Sequence, residues 1–130
     1  MKALLFAAGR GAVTYDLVSL LRDCYIEWPE ARVYAWAAAH RRRLLDAGVA
    51  CADADAFRRD FDLMGLQRHI KVLGIFCRLW YRDGKPGYLR DLPLVWEYTR
   101  RVGARHPETA PLIARITAWI GDRDITVPAP

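Results

Sequence analysis

Asparagine is absent from the 130 residues, and serine occurs once, at Ser19. The first absence excludes a magnesium cradle built from aspartate and asparagine, a common device for steadying a transferred phosphoryl group. The second leaves no serine-hydrolase pattern, because Ser19 lies in an apolar helical stretch with no histidine near it in sequence. Cysteine is scarce and unpaired. Cys24, Cys51 and Cys77 stand far apart with no Cys-x-x-Cys, so neither a disulfide framework nor a zinc site is indicated. Cys24 and Cys77 have apolar surroundings and read as buried thiols. No apolar run reaches the roughly 18 residues that a membrane-spanning helix needs. The apolar stretch after Met1 is too short for a secretory leader, so the expected location is cytoplasmic.

Strand signals are also few. Lys2 to Phe6, followed by a glycine turn, is the only convincing strand, and one strand makes no sheet. What the chain has in quantity is helical period broken by Gly and Pro. Thr14 reads as the N-cap of a helix carrying Leu17, Leu20, Leu21, Cys24 and Tyr25. Pro29 suits the first turn of the next helix, with Val33, Trp36, Ala37, His40, Leu44 and Leu45 on one side and Gly48 as its stop. Asp53 and Asp55 favour a helix start, opening a third stretch from Ala52 to Asp60. A long run from Leu63 to Arg82 sets Leu66, Ile70, Leu73, Phe76, Cys77 and Trp80 at spacings of three and four. Asp83 to Gly87 is a turn. Helices over Leu89–Val102 and Glu108–Ile120 follow. Pro93 sits harmlessly in the first turn of the former. Leu112, Ile113, Ile116 and Trp119 line the latter. The fold class expected is mainly α, a helical bundle, with Leu66, Leu73, Phe76, Trp80, Val95 and Ile116 buried. The five tryptophans, at helical core positions or turns, read as packing.

Net charge is +5, with a sequence pI near 9.4. That balance permits anionic partners. The arginines are spread along the chain, however, and the only run, Arg41 to Arg43, reads as a solvated helix face. No recognition helix, zinc pattern or RNA-binding aromatic motif appears, so a nucleic-acid partner is not expected.

The segment Gly65-Leu66-Gln67-Arg68-His69-x-Lys71-x-Leu73-Gly74, with Arg82-Asp83-Gly84-Lys85 after it, is too specific for a generic helix. It resembles the late C-terminal lobe of aminoglycoside-phosphotransferase-like small-molecule kinases. The likeness is strongest to the anomeric N-acetylmuramate and N-acetylglucosamine kinases of cell-wall recycling. The block from Gly11 to Ile26, with Tyr15-Asp16-Leu17 inside it, resembles the segment that follows the metal-binding aspartate in these kinases. Trp28-Pro29 comes next, as it often does there. The resemblance covers roughly residues 11–105. It implies a domain plan of a leader or remnant strand over 1–10, a helical C-lobe fragment over 11–122 and a flexible tail over 123–130. Residues 1–11 also resemble the opening strand and nucleotide loop of sugar-1-phosphate nucleotidyltransferases.

Whole members of the kinase family use ATP and magnesium to phosphorylate a sugar hydroxyl. The parts that do so are not found in these 130 residues. His40, His69 and His106 are followed two residues later by Arg42, Lys71 and Glu108, so no His-x-Asp catalytic loop exists. No carboxylate stands in the residues just before Gly11. No catalytic or metal-binding residue is therefore assigned, no cofactor is expected for this chain, and it is expected to be inactive by itself. In the family, C-lobe helices wall the acceptor pocket. Arg68, Lys71, Arg78 and Arg82 fall close to one helical stripe flanked by Gln67 and Tyr81. Gln67, Arg68, Lys71, Arg78 and Tyr81 are thus the candidate binders of an amino-sugar ligand. Asp16 and Asp23 read as structural, and His69 as a packed histidine. A partner lobe or a second copy is the other expected partner. The competing reading is a small basic helical module that contacts nucleic acid or such a partner lobe.

Overall fold

Asp53 opens the longest element of the chain. Its Oδ1 accepts the Ala56 N–H at 2.9 Å and its carbonyl accepts the Phe57 N–H at 2.9 Å, so two donors of the first turn are satisfied. The computed structural model describes residues 13–128. Its elements are α1 (Tyr15–Leu21), α2 (Glu30–Asp46), α3 (Ala54–Tyr81), a 3-10 turn (Pro86–Asp91), α4 (Leu92–Gly103) and α5 (Ala110–Ile120). Among the described residues the fold is mainly α, with no strand, as the helical period predicts. The expected strand at residues 2–6 lies outside them. No helix among the described residues is long and apolar enough to cross a membrane.

Glycine stops fall where the sequence puts them. Gly48 has φ of +74°, with its N–H on the Leu45 carbonyl and the Val49 N–H on the Leu44 carbonyl, a Schellman closure of α2. Gly84 and Gly121 also take positive φ beyond α3 and α5. Helix starts are less well foreseen. Pro29 occupies the N-cap position of α2 rather than its first turn. Thr14 stands at the N-cap of α1, but its hydroxyl makes no capping bond. Leu89 belongs to the 3-10 turn, so α4 starts at Leu92 with Pro93 in its first turn. α5 starts at Ala110, because Thr109 turns its hydroxyl back onto the Gly103 carbonyl at 2.6 Å.

The two helical stretches expected over 52–60 and 63–82 are one helix. No glycine or proline interrupts Asp60 to Met64, and Gly65 and Gly74 are tolerated within it. What suggests a break is a change of phase. The buried side chains shift around the helix from Phe57 and Phe61 to Leu66, His69 and Phe76. The shift has a cause, because α3 contributes to two compact units.

The first unit holds residues 13–23 and Trp28–Gly65. Its core joins Leu17, Val18 and Leu21 of α1, Val33 and Ala37 of α2, and Phe57 and Phe61 of α3. Trp28 meets Trp36 edge-on, with centroids 5.4 Å apart. Phe61 and Val18 are completely buried. Burial of each such side chain contributes about 1.5–3 kcal/mol relative to exposure.

The second unit holds Cys24–Glu27 and residues 66–128. One cluster gathers Cys24, Phe76, Leu89, Leu92 and Val95, with Ile125 packed against it; another joins Leu66, Val102 and Ile113. Tyr98 donates its hydroxyl to the Ile26 carbonyl at 3.1 Å. Arg101 approaches Glu27 at 3.6 Å. Gly103 lets α5 come close to α4. A Cβ built there would lie 2.5 Å from Ile113 Cγ1.

Leu66, Phe76 and Val95 are buried as expected, while Leu73, Trp80 and Ile116 are only half-buried. Cys24 is buried and Cys77 half-buried. Ile70, expected on the core side of α3, is exposed, since the buried arc centres on His69 and Phe76 instead. Trp119 is the clearest departure, at 75% exposed. α5 is apolar nearly all round, so period alone does not choose its inner face. Ile113 is the buried side chain, fitted against Gly103, and Leu112 and Trp119 point outward.

Candidate functional site

The five candidate binders all belong to α3, in the second unit. Gln67, Lys71, Arg78 and Tyr81 are exposed, Tyr81 by 62%, and Arg68 is half-buried. Arg68 lies where the buried arc meets the stripe, and its Nε is enclosed with no hydrogen-bond partner among the described residues. Arg82, the last cation of the stripe, is already engaged. Its Nε and Nη2 reach both carboxylate oxygens of Asp83 at 2.7 and 3.1 Å. That forked bond holds the Asp83 carboxyl below the usual carboxylate range.

A helix spreads these residues along its axis. Lys71 and Arg78 are seven residues apart, about 10 Å at 1.5 Å per residue, which exceeds the width of a pyranose ring. Gln67, Arg68 and Lys71 therefore form one group, and Arg78 and Tyr81 another. Arg68 and Lys71 offer donors only, and Gln67 offers both donor and acceptor. That set suits a carboxylate together with sugar hydroxyls.

His69 is fully buried and stacks on Tyr98, with centroids 4.9 Å apart and rings 10° from parallel. It is part of the packing, as its position predicts. Asp16 stands exposed in the first turn of α1, where a negative charge favours the helix dipole. Asp23 is half-buried just beyond that helix.

A buried polar cluster of the first unit includes none of the candidates. Arg22 Nη2 donates to Asp62 Oδ1 at 2.8 Å and to the Tyr34 hydroxyl at 3.0 Å, and Tyr34 donates to the same Oδ1 at 2.7 Å. The Arg22 and Asp62 side chains are 3% and 4% exposed. Arg22 also lies over the Phe61 ring, 4.6 Å from its centroid. The closed triangle and the aromatic face make it a brace between α1, α2 and α3. Its partners are 12 to 40 residues apart in sequence, so no local motif reveals it.

ATP-dependent transfer would need magnesium held by converging oxygen ligands. Among the described residues no three His, Cys, Asp or Glu side chains cluster.

Curated relatives set this helical chain beside bacterial amino-sugar kinases over part of their length. A protein of Neisseria meningitidis serogroup B is 46% identical over 116 residues, 88% of this chain and 35% of its own. One of Pseudomonas putida is 47% identical and one of Pseudomonas aeruginosa 45% identical, each over 103 residues, 78% of this chain and 30% of the relative. All three are named N-acetylmuramate/N-acetylglucosamine kinase. The chain thus spans about a third of the length of the curated relatives it matches. No family model matches the chain, and no solved structure matches it.

Proposed function

We propose that this chain is the helical C-lobe portion of an amino-sugar kinase, of the aminoglycoside-phosphotransferase-like type, serving cell-wall recycling. On this reading it carries part of the acceptor-sugar wall and does not transfer phosphoryl groups by itself. The observation that carries the proposal is the identity of 45–47% with proteins named N-acetylmuramate/N-acetylglucosamine kinase. The partly exposed Arg68 and the exposed Gln67 and Lys71 leave donors open to a ligand on one stretch of α3.

Calorimetry with N-acetylmuramate tests the wall. Binding by the parent chain should weaken about tenfold in Arg68→Ala and again in Lys71→Ala, the worth of one charge-assisted bond each. Absence of binding by the parent chain would remove the sugar-wall role. The catalytic half is tested separately, with ATP, magnesium and either amino sugar. No sugar-1-phosphate should form above a no-protein control. Turnover that is abolished by mutating this chain would overturn that half.

One further reading has its own observation. It is association with a second copy, in which Leu20 of α1, 71% exposed, would be covered. Self-association should appear as a concentration-dependent sedimentation coefficient that Leu20→Gln suppresses. A monomer at all concentrations would remove the second copy.

A further inference from the structure

We propose that the cleft between α2 and the first turns of α3 is a binding site for a small phosphomonoester. The cleft lies within the first unit, apart from the α3 stripe, and goes beyond the kinase reading. Its volume is about 350 Å³, and Tyr34, Arg41, Arg42, Asp55, Phe57 and Arg58 line it, with alanines of both helices between them. The arginine run at 41–43 is therefore only partly a solvated face. Arg43 is exposed outside the cleft, while Arg41 is half-buried and Arg42 turns to the cleft wall.

Two of the three guanidinium groups are positioned in advance. Arg41 donates Nε to the Ala52 carbonyl at 2.8 Å. That bond fixes the plane of the group and leaves its two terminal nitrogens for an anion. Arg58 lies 3.9 Å over the centroid of the Tyr34 ring. Tyr34 is itself held by its part-buried bond to Asp62. Ordering these side chains before a ligand arrives lowers the entropy lost on binding. α2 thus delivers Arg41 and Arg42 to one side of the cleft, and α3 delivers Arg58 to the other.

Charge selects the ligand class. Three guanidinium groups against the Asp55 carboxylate leave two positive charges in the cleft. A phosphomonoester carries close to two negative charges at neutral pH and presents three acceptor oxygens to forked donors. A monocarboxylate would leave one cation unmatched. The α3 N-terminus is already capped by the Asp53 carboxylate, so the arginines are the source of positive charge in the cleft. The apolar floor of alanines and Phe57 has room for a small organic body, whose hydroxyls Asp55 can accept. An extended polyanion would gain little from so local a cluster.

The test uses the full chain and nuclear magnetic resonance, titrating glucose 6-phosphate with glucose and acetate as controls. Saturable shifts are expected at the amides of Ala38, Arg42, Ala54 and Asp55, with glucose 6-phosphate only. Affinity should fall about tenfold in Arg42→Gln and in Arg58→Gln, both exposed positions that leave the fold intact. Arg43→Gln, exposed outside the cleft, should leave it unchanged. Because arginine stays protonated, affinity should decline as pH drops through roughly 6, where the phosphate loses its second charge. No saturable shift in the parent chain, equal response to acetate, or equal weakening by Arg43→Gln would each overturn the assignment.

Discussion

Asp62→Ala should destabilise the chain by about 3–5 kcal/mol, the usual cost of leaving one member of a buried ion pair without its partner. Arg22 would keep its charge in a place almost closed to water, and Tyr34 would lose the acceptor it holds at 2.7 Å. Little room exists for Arg22 to escape. A Cβ built on Gly65 would already stand 3.1 Å from its Nη1. Replacing both partners with apolar side chains, as in Arg22→Met with Asp62→Leu, should recover much of the loss, since no charge is then stranded. Urea titration followed by circular dichroism measures both. A loss under about 1 kcal/mol for Asp62→Ala would mean that water reaches the pair, as at surface ion pairs. Such a result would end the view of this triangle as the brace of the first unit.

Gly103→Ala is the second large effect, and its sign runs against helix propensity. Within a helix, alanine is ordinarily favoured over glycine by about 1 kcal/mol. Here the added methyl would meet Ile113 Cγ1 at 2.5 Å and Leu66 Cδ1 at 3.2 Å. Cγ1 is bound directly to Cβ, and a β-branched side chain has few alternative rotamers, so α5 must shift instead. Overpacking of this kind costs about 1–3 kcal/mol. Ile113→Ala is itself destabilising, because it opens a cavity. In the double variant, however, Gly103→Ala should no longer be harmful. A thermal midpoint for Gly103→Ala at or above that of the parent would show that α4 and α5 separate without cost.

The helix ends were readable because their signals are local. Gly48, Gly84 and Gly121 take left-handed backbone just past the stops they mark, and Asp53 caps α3 through its own side chain. The inner faces were less readable where apolar residues are too many. α5 carries them on every side, and the packing against Gly103 selects Ile113 over Trp119. α3 misled by serving two cores, so its apolar phase changes partway and imitates a helix boundary. The basic stripe was legible as a stripe, but period alone says nothing of its length, which divides the candidate binders into two groups. Arg22 and Asp62 were invisible as a pair. They are 40 residues apart, and each looks like any charged residue until α1 and α3 pack together. Arg41, Arg42 and Arg58 escaped for the same reason.

Cys24–Glu27 belongs to the second unit although residues on both sides of it belong to the first. This four-residue excursion means that the order of the gene is not the order of the fold. A product starting at Leu66 would keep Tyr98 and Arg101 but lose the Ile26 carbonyl and the Glu27 carboxylate that they reach. A product ending at Gly65 would carry those groups with nothing to receive them. A single cut therefore separates both of these pairs, and parts Cys24 from the cluster it shares with Phe76, Leu89, Leu92 and Val95. Keeping these contacts in an isolated second unit means re-routing the chain, joining residues 24–27 to its start through a new linker.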